Sequence, residues 1–269
     1  MKAMCAFFGI SRAAYYAWAR RSAGPDPDAG RKELILQAYR ASHRTYGYRR
    51  VTWWIARNCG TTINHKAVLR LMNRLGIRSV ARKRRLVTKM SSLDSYHHYP
   101  NRLQRDFTAT RPNQKWVTDV TYILTREGWA YLSTIKDLYD GLIVAHQFSK
   151  ENSVALVQQT LRKALQKEKV TDGLVLHSDQ GQQYTSQAYF VLTQQYNLSP
   201  SMSRRGNCWD NAPMENFFGH LKEEALRQYP TPSFQEAQQI IDDYICFYNY
   251  ERIQLKTRQT PYQLRCLSS

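Results

Sequence analysis

Cysteine is scarce and poorly placed for a framework. The five residues Cys5, Cys59, Cys208, Cys246 and Cys266 are odd in number, and no two are close in sequence. That spacing excludes a disulfide-stapled scaffold and a zinc knuckle and leaves idle or buried thiols. His97 and His98 are adjacent, but no second ligand pair lies near them, so no structural zinc is expected. Although 42% of the chain is hydrophobic, no apolar run approaches the roughly eighteen residues of a membrane span. The start, Met1–Ile10, leads through Ser11 and Arg12 into a helical pattern without a small-residue cleavage site, so a soluble, cytoplasmic protein is expected. No leucine heptad is visible, which leaves the chain without a coiled coil of its own for multimerisation. Acids are few as well: 21 Asp+Glu stand against 39 Lys+Arg, for a net charge of +18.

The excess charge is confined to one part of the chain. Residues 1 to 112 hold 23 Lys+Arg and 5 Asp+Glu, while the remainder holds 16 of each. Solubility alone does not require one sign in one region. A basic face of this kind attracts polyanions, of which nucleic acid is the commonest in the cytoplasm. At 269 residues there is room for one sizeable core and a smaller helical domain.

What is present is a set of acids at telling places. Leu174–His177 is an apolar run of strand type that stops at Asp179 and Gly181, so Asp179 sits at a strand end. Thirty-five residues separate it from Glu215, near the start of a segment in which Pro213 suits a first helical turn. Phe217, Phe218, Leu221, Ala225 and Leu226 recur there at helical spacing. Lys222 lies about two turns after Glu215 and projects from roughly the same side. Upstream, the β-branched and aromatic segment Lys115–Leu124 carries Asp119 in its middle. An acid there is costly if buried without a partner such as a metal ion, but taken alone it reads first as a strand acid facing water.

The blocks Trp116–Tyr122, His177–Gly181 and Gly206–Glu215 together resemble the catalytic blocks of bacterial insertion-sequence transposases of the retroviral-integrase type. The resemblance is closest to those whose second reading frame encodes the catalytic half. It places the family's Asp, Asp, thirty-five residues, Glu pattern on Asp119, Asp179 and Glu215, and its following basic residue on Lys222. The paired His and Cys of the retroviral zinc domain are not visible. His43–Arg50 resembles the signature of the helical domain that precedes the catalytic domain in the same transposases. The tail, Tyr248–Gln254 with Thr260 and Pro261, resembles their C-terminal signature, except that many members have His where Gln254 stands. The fold implied is α/β: an RNase H-like mixed five-stranded sheet with flanking helices, preceded by a small all-α helix-turn-helix domain.

In chain order, residues 1–80 read as the helical DNA-binding region. Phe7, Phe8, Ile10, Ala14, Tyr15 and Trp18 form a helix-like face, with Ser11 as a cap. Further helices are expected from Arg31 to about Ser42, from Arg49 to Asn58, and after Asn64 through Val68, Leu69, Leu71, Met72 and Leu75. Residues 81–113 read as a basic and polar linker, with Leu103 and Phe107 as points of attachment to the core. Residues 114–230 form the catalytic core. Strands are expected at Lys115–Thr125, Gly128–Lys136 and Gly141–Phe148, then a helix capped by Asn152, the strand ending at Asp179, a helix over Ser186–Tyr196 and a strand over Leu198–Ser203. Residues 231–269 form a C-terminal helix over Ser233–Tyr250 and a tail.

Three carboxylates without thiolate or imidazole are hard oxygen ligands, and they select Mg²⁺, with Mn²⁺ able to substitute. Two such ions serve phosphodiester cleavage and then joining by the released 3′-OH, which the resemblance implies for element ends and target DNA. Lys222 is expected at a phosphate, with a salt bridge to Glu223 or Glu224 as its alternative. Arg49 and Arg50, with Arg82, Lys83, Arg84 and Arg85 of the basic run, are the other expected DNA contacts. Asp210 and Asn211 orient the loop or the DNA end, or Asn211 simply caps the helix. His177 contacts substrate or is structural, and Asp137 and Asp140 are weaker metal candidates. The resemblance implies a homo-oligomer on DNA and an upstream-frame product as partner. Rival readings are an RNase H-like nuclease that never joins and a catalytically idle repressor.

Overall fold

The computed structural model describes residues 1–79, 97–170 and 172–267. They fall into two compact units, Met1–Ser79 and Val80–Ser269.

The first unit is helical among its described residues: α1 (Lys2–Phe7), α2 (Arg12–Ala23), α3 (Ala29–Ala41), α4 (Tyr48–Asn58) and α5 (His65–Arg74). Ser11 caps α2 by accepting from the Ala14 amide at 3.1 Å, and Asn64 caps α5 by accepting from the Lys66 amide at 2.8 Å. Ile35, Ala38, Val51, Ile55, Val68, Leu71 and Met72 are buried, so the apolar stripes of α3, α4 and α5 close one core. Leu69 is instead exposed, since one residue step of about 100° from Val68 turns it outward. Phe7, Phe8, Ile10 and Trp18 of the first two helices and their turn are also exposed. The buried carboxylate of Asp28 ties the start of α3 to α5 by accepting from Arg70 at 3.0 Å.

The second unit carries β1 (Lys115–Thr125), β2 (Gly128–Asp137), β3 (Ile143–Ser149), β4 (Val175–Ser178) and β5 (Ser199–Met202) in the sheet order β3-β2-β1-β4-β5. The first three strands form an antiparallel meander, and β4 and β5 add in parallel beside β1. Its helices are α6 (Val154–Lys167), α7 (Gln182–Thr185), α8 (Gln187–Gln195), α9 (Ala212–Glu224), α10 (Phe234–Tyr250) and α11 (Pro261–Cys266). Strand alternation sends Trp116 of β1 and its partly buried neighbour Val120 to one face, where they join Ile135, Val157, Leu161, Leu176 and Leu192 in the core. Val117, Asp119, Thr121 and Ile123 take the other face. There α9 and α10 pack, with Phe217 edge-on to Tyr248 at 5.0 Å.

Several expectations change. Helix α6 is capped by Ser153, whose hydroxyl accepts from the Leu156 amide, while Asn152 accepts from Gln183 at 2.6 Å. The third strand begins two residues late, because Gly141, at φ 79°, completes a turn after Asp137. From His97 onward the segment read as linker lies against the core: Leu103 is buried, and the Arg102 amide donates to Ser201 Oγ at 2.9 Å. The tail is likewise part of this unit. Asn249 both accepts from the Ile143 amide and donates to its carbonyl, so a side chain completes the free edge of β3. Arg252 is buried in a two-pronged pair with Glu224 at 2.7 and 2.8 Å. Gln254 donates to the Asp140 carbonyl at 2.6 Å, giving that departure from the family pattern a structural place. The contacts of Arg102, Asn249 and Gln254 join polar groups about a hundred residues apart, which hydrophobic periodicity does not register. Among the described residues, no helix is long and apolar enough to cross a membrane.

Candidate active site

The parallel register between β1 and β4 brings the two aspartates side by side. Val117 lies opposite His177, so two residues further along Asp119 is level with Asp179, just past the end of β4. Neighbouring strands run about 4.8 Å apart, and the shared parity puts both side chains on the α9 face. Asp119 Oδ1 accepts from the Val120 amide at 2.8 Å and Asp179 Oδ1 from the Gly181 amide at 2.9 Å. The third acid arrives on α9, which starts with Pro213 in its first turn and Glu215 beside it. Asn211 anchors the start of that helix by donating from Nδ2 to the carbonyl of Thr118, the residue before Asp119, at 3.2 Å. Buried Met214, Phe217, Phe218 and Leu221 hold the helix down, and Glu215 is exposed.

The electrostatics are those of a crowded anionic site. Burial pushes the Asp119 carboxyl well above the usual range, and the charges of Asp179 and Glu215 push it further. Burial raises Asp179 too. Both keep part of their surface open to solvent, so a cation has access. Lys222 supplies a counter-charge from the far end of α9, donating to Thr121 Oγ1 at 2.7 Å with its ammonium 5.4 Å from the Tyr122 ring centroid. Its expected alternative partners are otherwise engaged: Glu223 pairs with Arg227, and Glu224 with Arg252 and His220.

Among the described residues, no three His, Cys, Asp or Glu side chains are gathered tightly enough to form a finished cage for an ion. The donor chemistry fits a hard divalent cation all the same, since the candidate set is three carboxylate side chains. Two buried oxygens beside them have no hydrogen-bond partner in the protein: Asn211 Oδ1, and Thr134 Oγ1, directly opposite Asp119 across β1 and β2. Orphaned oxygens of this kind suit a hydrated guest.

Other expected site residues turn out to be scaffold. His177 is buried between Ser201 at 2.8 Å and Ser203 at 3.1 Å, and burial lowers its pKa to about 4, so it is a neutral structural group. Asp137 and Asp140 lie beneath α11 and grip Arg265 at 2.6 Å each, which removes them as metal candidates. Burial still pushes Asp137 up to about 6. Asn211 is at the helix N-cap position, but its side chain reaches β1 instead of capping. Arg49 is exposed on α4, whereas Arg50 is half-buried over the Tyr46 ring at 5.8 Å. Arg82, Lys83, Arg84 and Arg85 lie outside the described residues. Sequence reasoning missed Thr134 and Tyr184. Tyr184 is buried with its hydroxyl 3.2 Å from Thr118 Oγ1, and burial together with Asp119 and Asp179 raises it well above the usual phenol range. Only the register of β2 and the unforeseen helix α7 bring these two to the site.

Comparison with known proteins identifies the family. Residues 109–208 and 215–268 match Integrase core domain families, and residues 26–85 match an HTH-like domain. The chain is 39% identical over 252 residues to an insertion element IS600 uncharacterized 31 kDa protein of Shigella sonnei, covering 93% of this chain and 92% of that one. It is 33% identical over 259 residues to the transposase InsF for insertion sequence IS3A of Escherichia coli (strain K12), covering 93% and 88%. Among solved structures, it is similar to a chain of the simian T-cell lymphotropic virus intasome in complex with PP2A regulatory subunit B56 gamma. That match has a TM-score of 0.51 and 16% identity and covers 86% of this chain and 74% of that one, a likeness of fold.

Proposed function

Since this chain belongs to the insertion-sequence transposases, polynucleotidyl transferases built on an integrase core, we propose that it cuts and joins DNA at the ends of an insertion sequence in a Mg²⁺-dependent reaction. The observation that carries this reading is the level pairing of Asp119 and Asp179 on parallel strands, with Glu215 in the first turn of the helix that packs over that face. In this reading the three carboxylates hold Mg²⁺, with Mn²⁺ able to substitute. The bound ions supply Lewis-acid stabilisation to the phosphodiester undergoing displacement. Asn211 fixes the start of α9 against β1, so Glu215 is presented to a rigid strand. Lys222 takes a phosphate near the reacting end as a point charge. Cleavage exposes a 3′-OH, and the same three carboxylates serve its attack on a second phosphodiester. Residues 1–80, with Arg49 at their surface, and the basic run Arg82, Lys83, Arg84 and Arg85 within 81–113 hold the DNA; Arg50 contributes by placing α4. Residues 114–230 carry the chemistry, and residues 231–269 brace it. The chain works in the cytoplasm as a homo-oligomer on DNA, with an upstream-frame product as a further partner.

The test is direct. Purified protein, with any upstream-frame partner, is given Mg²⁺ and a DNA carrying both element ends, and covalently joined ends are the expected product. Nicked or degraded DNA without joining, where the ends are bound, assigns a nuclease instead.

A further inference from the structure

We infer that Arg105 and Arg204 form a second DNA-phosphate site, on the catalytic unit itself, held in place from beneath by the buried carboxylate of Asp210. The inference rests on the reading that this chain acts on DNA. Asp210 is fully buried five residues before Glu215. Its Oδ1 accepts from Arg105 Nε at 2.8 Å and Arg204 Nη2 at 2.9 Å. Its Oδ2 accepts from the Arg204 amide at 3.0 Å, Arg204 Nε at 2.9 Å and Asn101 Nδ2 at 3.0 Å. Arg105 Nη2 also donates to Asn207 Oδ1 at 3.1 Å.

Two cations on one buried anion leave a positive charge at the surface. The arginine side chains are 47% and 60% exposed, and Nη1 of each makes no bond among the described residues. One bidentate arginine suffices to neutralise a structural aspartate, so the second, half-exposed guanidinium is surplus to that role. Arginine forks match phosphate oxygens, and here their rotamers are already fixed, so little side-chain freedom is lost on binding. The position is equally telling. Asn211 follows Asp210 directly and bonds the carbonyl next to Asp119, so a strand seated on the carboxylates has its neighbouring phosphates within this loop's reach. The ligand class is the phosphodiester backbone, read without regard to base sequence.

The experiment measures binding of the full-length chain to labelled duplex DNA across a salt series. With about 0.9 of slope per neutralised phosphate, Arg105→Gln/Arg204→Gln should reduce the slope of log K against log salt by about 1.8. Arg162→Gln, at an exposed position on α6, controls for a general loss of charge and should leave the slope nearly unchanged. A thermal melt reports folding. If the double variant melts early because Asp210 is left buried without its cations, the triple variant that adds Asp210→Asn removes that anion and is expected to show the same slope loss. A folded double or triple variant with the wild-type slope overturns this site alone. A wild-type chain that binds no DNA overturns the functional reading and this site with it.

Discussion

The two units use charge in opposite ways. In the helical unit the described acids are few, and the buried one, Asp28, ties the start of α3 to arginines that remain more than half exposed. Apart from residues such as the half-buried Arg50, its basic side chains mostly face solvent, where they attract a polyanion but add little to stability. The catalytic unit turns its charge inward. Arg252 locks Glu224 and Arg265 joins Asp137, Asp140 and Glu168, while Asp210 is buried beneath Arg105 and Arg204, which stay about half exposed like the arginines of Asp28. Against that pattern Asp119 and Asp179 stand out: carboxylates raised by burial, which accept hydrogen bonds from the local backbone amides of Val120 and Gly181. Structural acids in this unit are matched to guanidinium, and the candidate catalytic acids are crowded against one another. Burial raises Asp137 too, but Arg265 is bonded to it, so a raised acid marks a candidate functional site here only where no such guanidinium partner is seen among the described residues.

The sharpest way to break this contrast is to neutralise the crowded acids. Asp119→Asn and Asp179→Asn should each lower strand transfer by more than the roughly 10²–10³-fold typical of deleting one electrostatic donor. DNA binding in a gel-shift assay should persist, and the metal-free melting temperature should hold or rise as like-charge repulsion is removed. Amide variants that join ends at near wild-type rates would move the active site elsewhere.

Truncation separates the units next. Removing residues 1–79 should flatten the salt dependence of binding steeply, since those residues carry much of the net charge. Removing residues 1–112 should also lower the melting temperature of what remains, because Asn101, Leu103 and Arg105 then leave Asp210 and the core. Equal melting temperatures for the two truncations would return the segment 97–112 to the status of a linker.

Single removal of the inward charges comes third. Arg252→Met leaves Glu224 buried without its guanidinium and should cost about 3–5 kcal/mol by denaturant titration of the catalytic unit. Adding Glu224→Gln should recover much of that loss. The sign with pH follows from the same pair. His220 and Arg252 hold the Glu224 carboxyl far below its usual range against the cost of burial. Its contribution is present above the ordinary glutamate pKa of about 4.3 and is lost as pH falls toward the folded value. Acid titration of the unfolding midpoint should show that loss in wild type and less of it in Glu224→Gln. In the helical unit, Asp28→Asn should cost about 1 kcal/mol or less, because its arginine partners are solvated.

Local physics alone made much of this chain legible. Apolar spacing located α3, α4, α5, α9 and α10, and turn residues bounded β1 and β2, whereas the triad Asp119, Asp179 and Glu215 was assigned by the resemblance of three sequence blocks to the insertion-sequence transposases. Charge counting isolated the basic half. Tertiary structure decided which acids serve which purpose. Asp137, Asp140 and Asp210 carry the same side chain as Asp119 and Asp179, and only the arrival of Arg265 and Arg105 from distant segments, with Arg204 from the loop just before Asp210, sets them apart as scaffold. The placement of the tail and of the segment from His97 also waited on the fold, because both are held largely by polar side chains that complete another element's hydrogen bonds. Periodicity records which face of an element is apolar. It holds no record of which partner will meet a buried charge, and in this protein that partner is what distinguishes a structural acid from a candidate catalytic one.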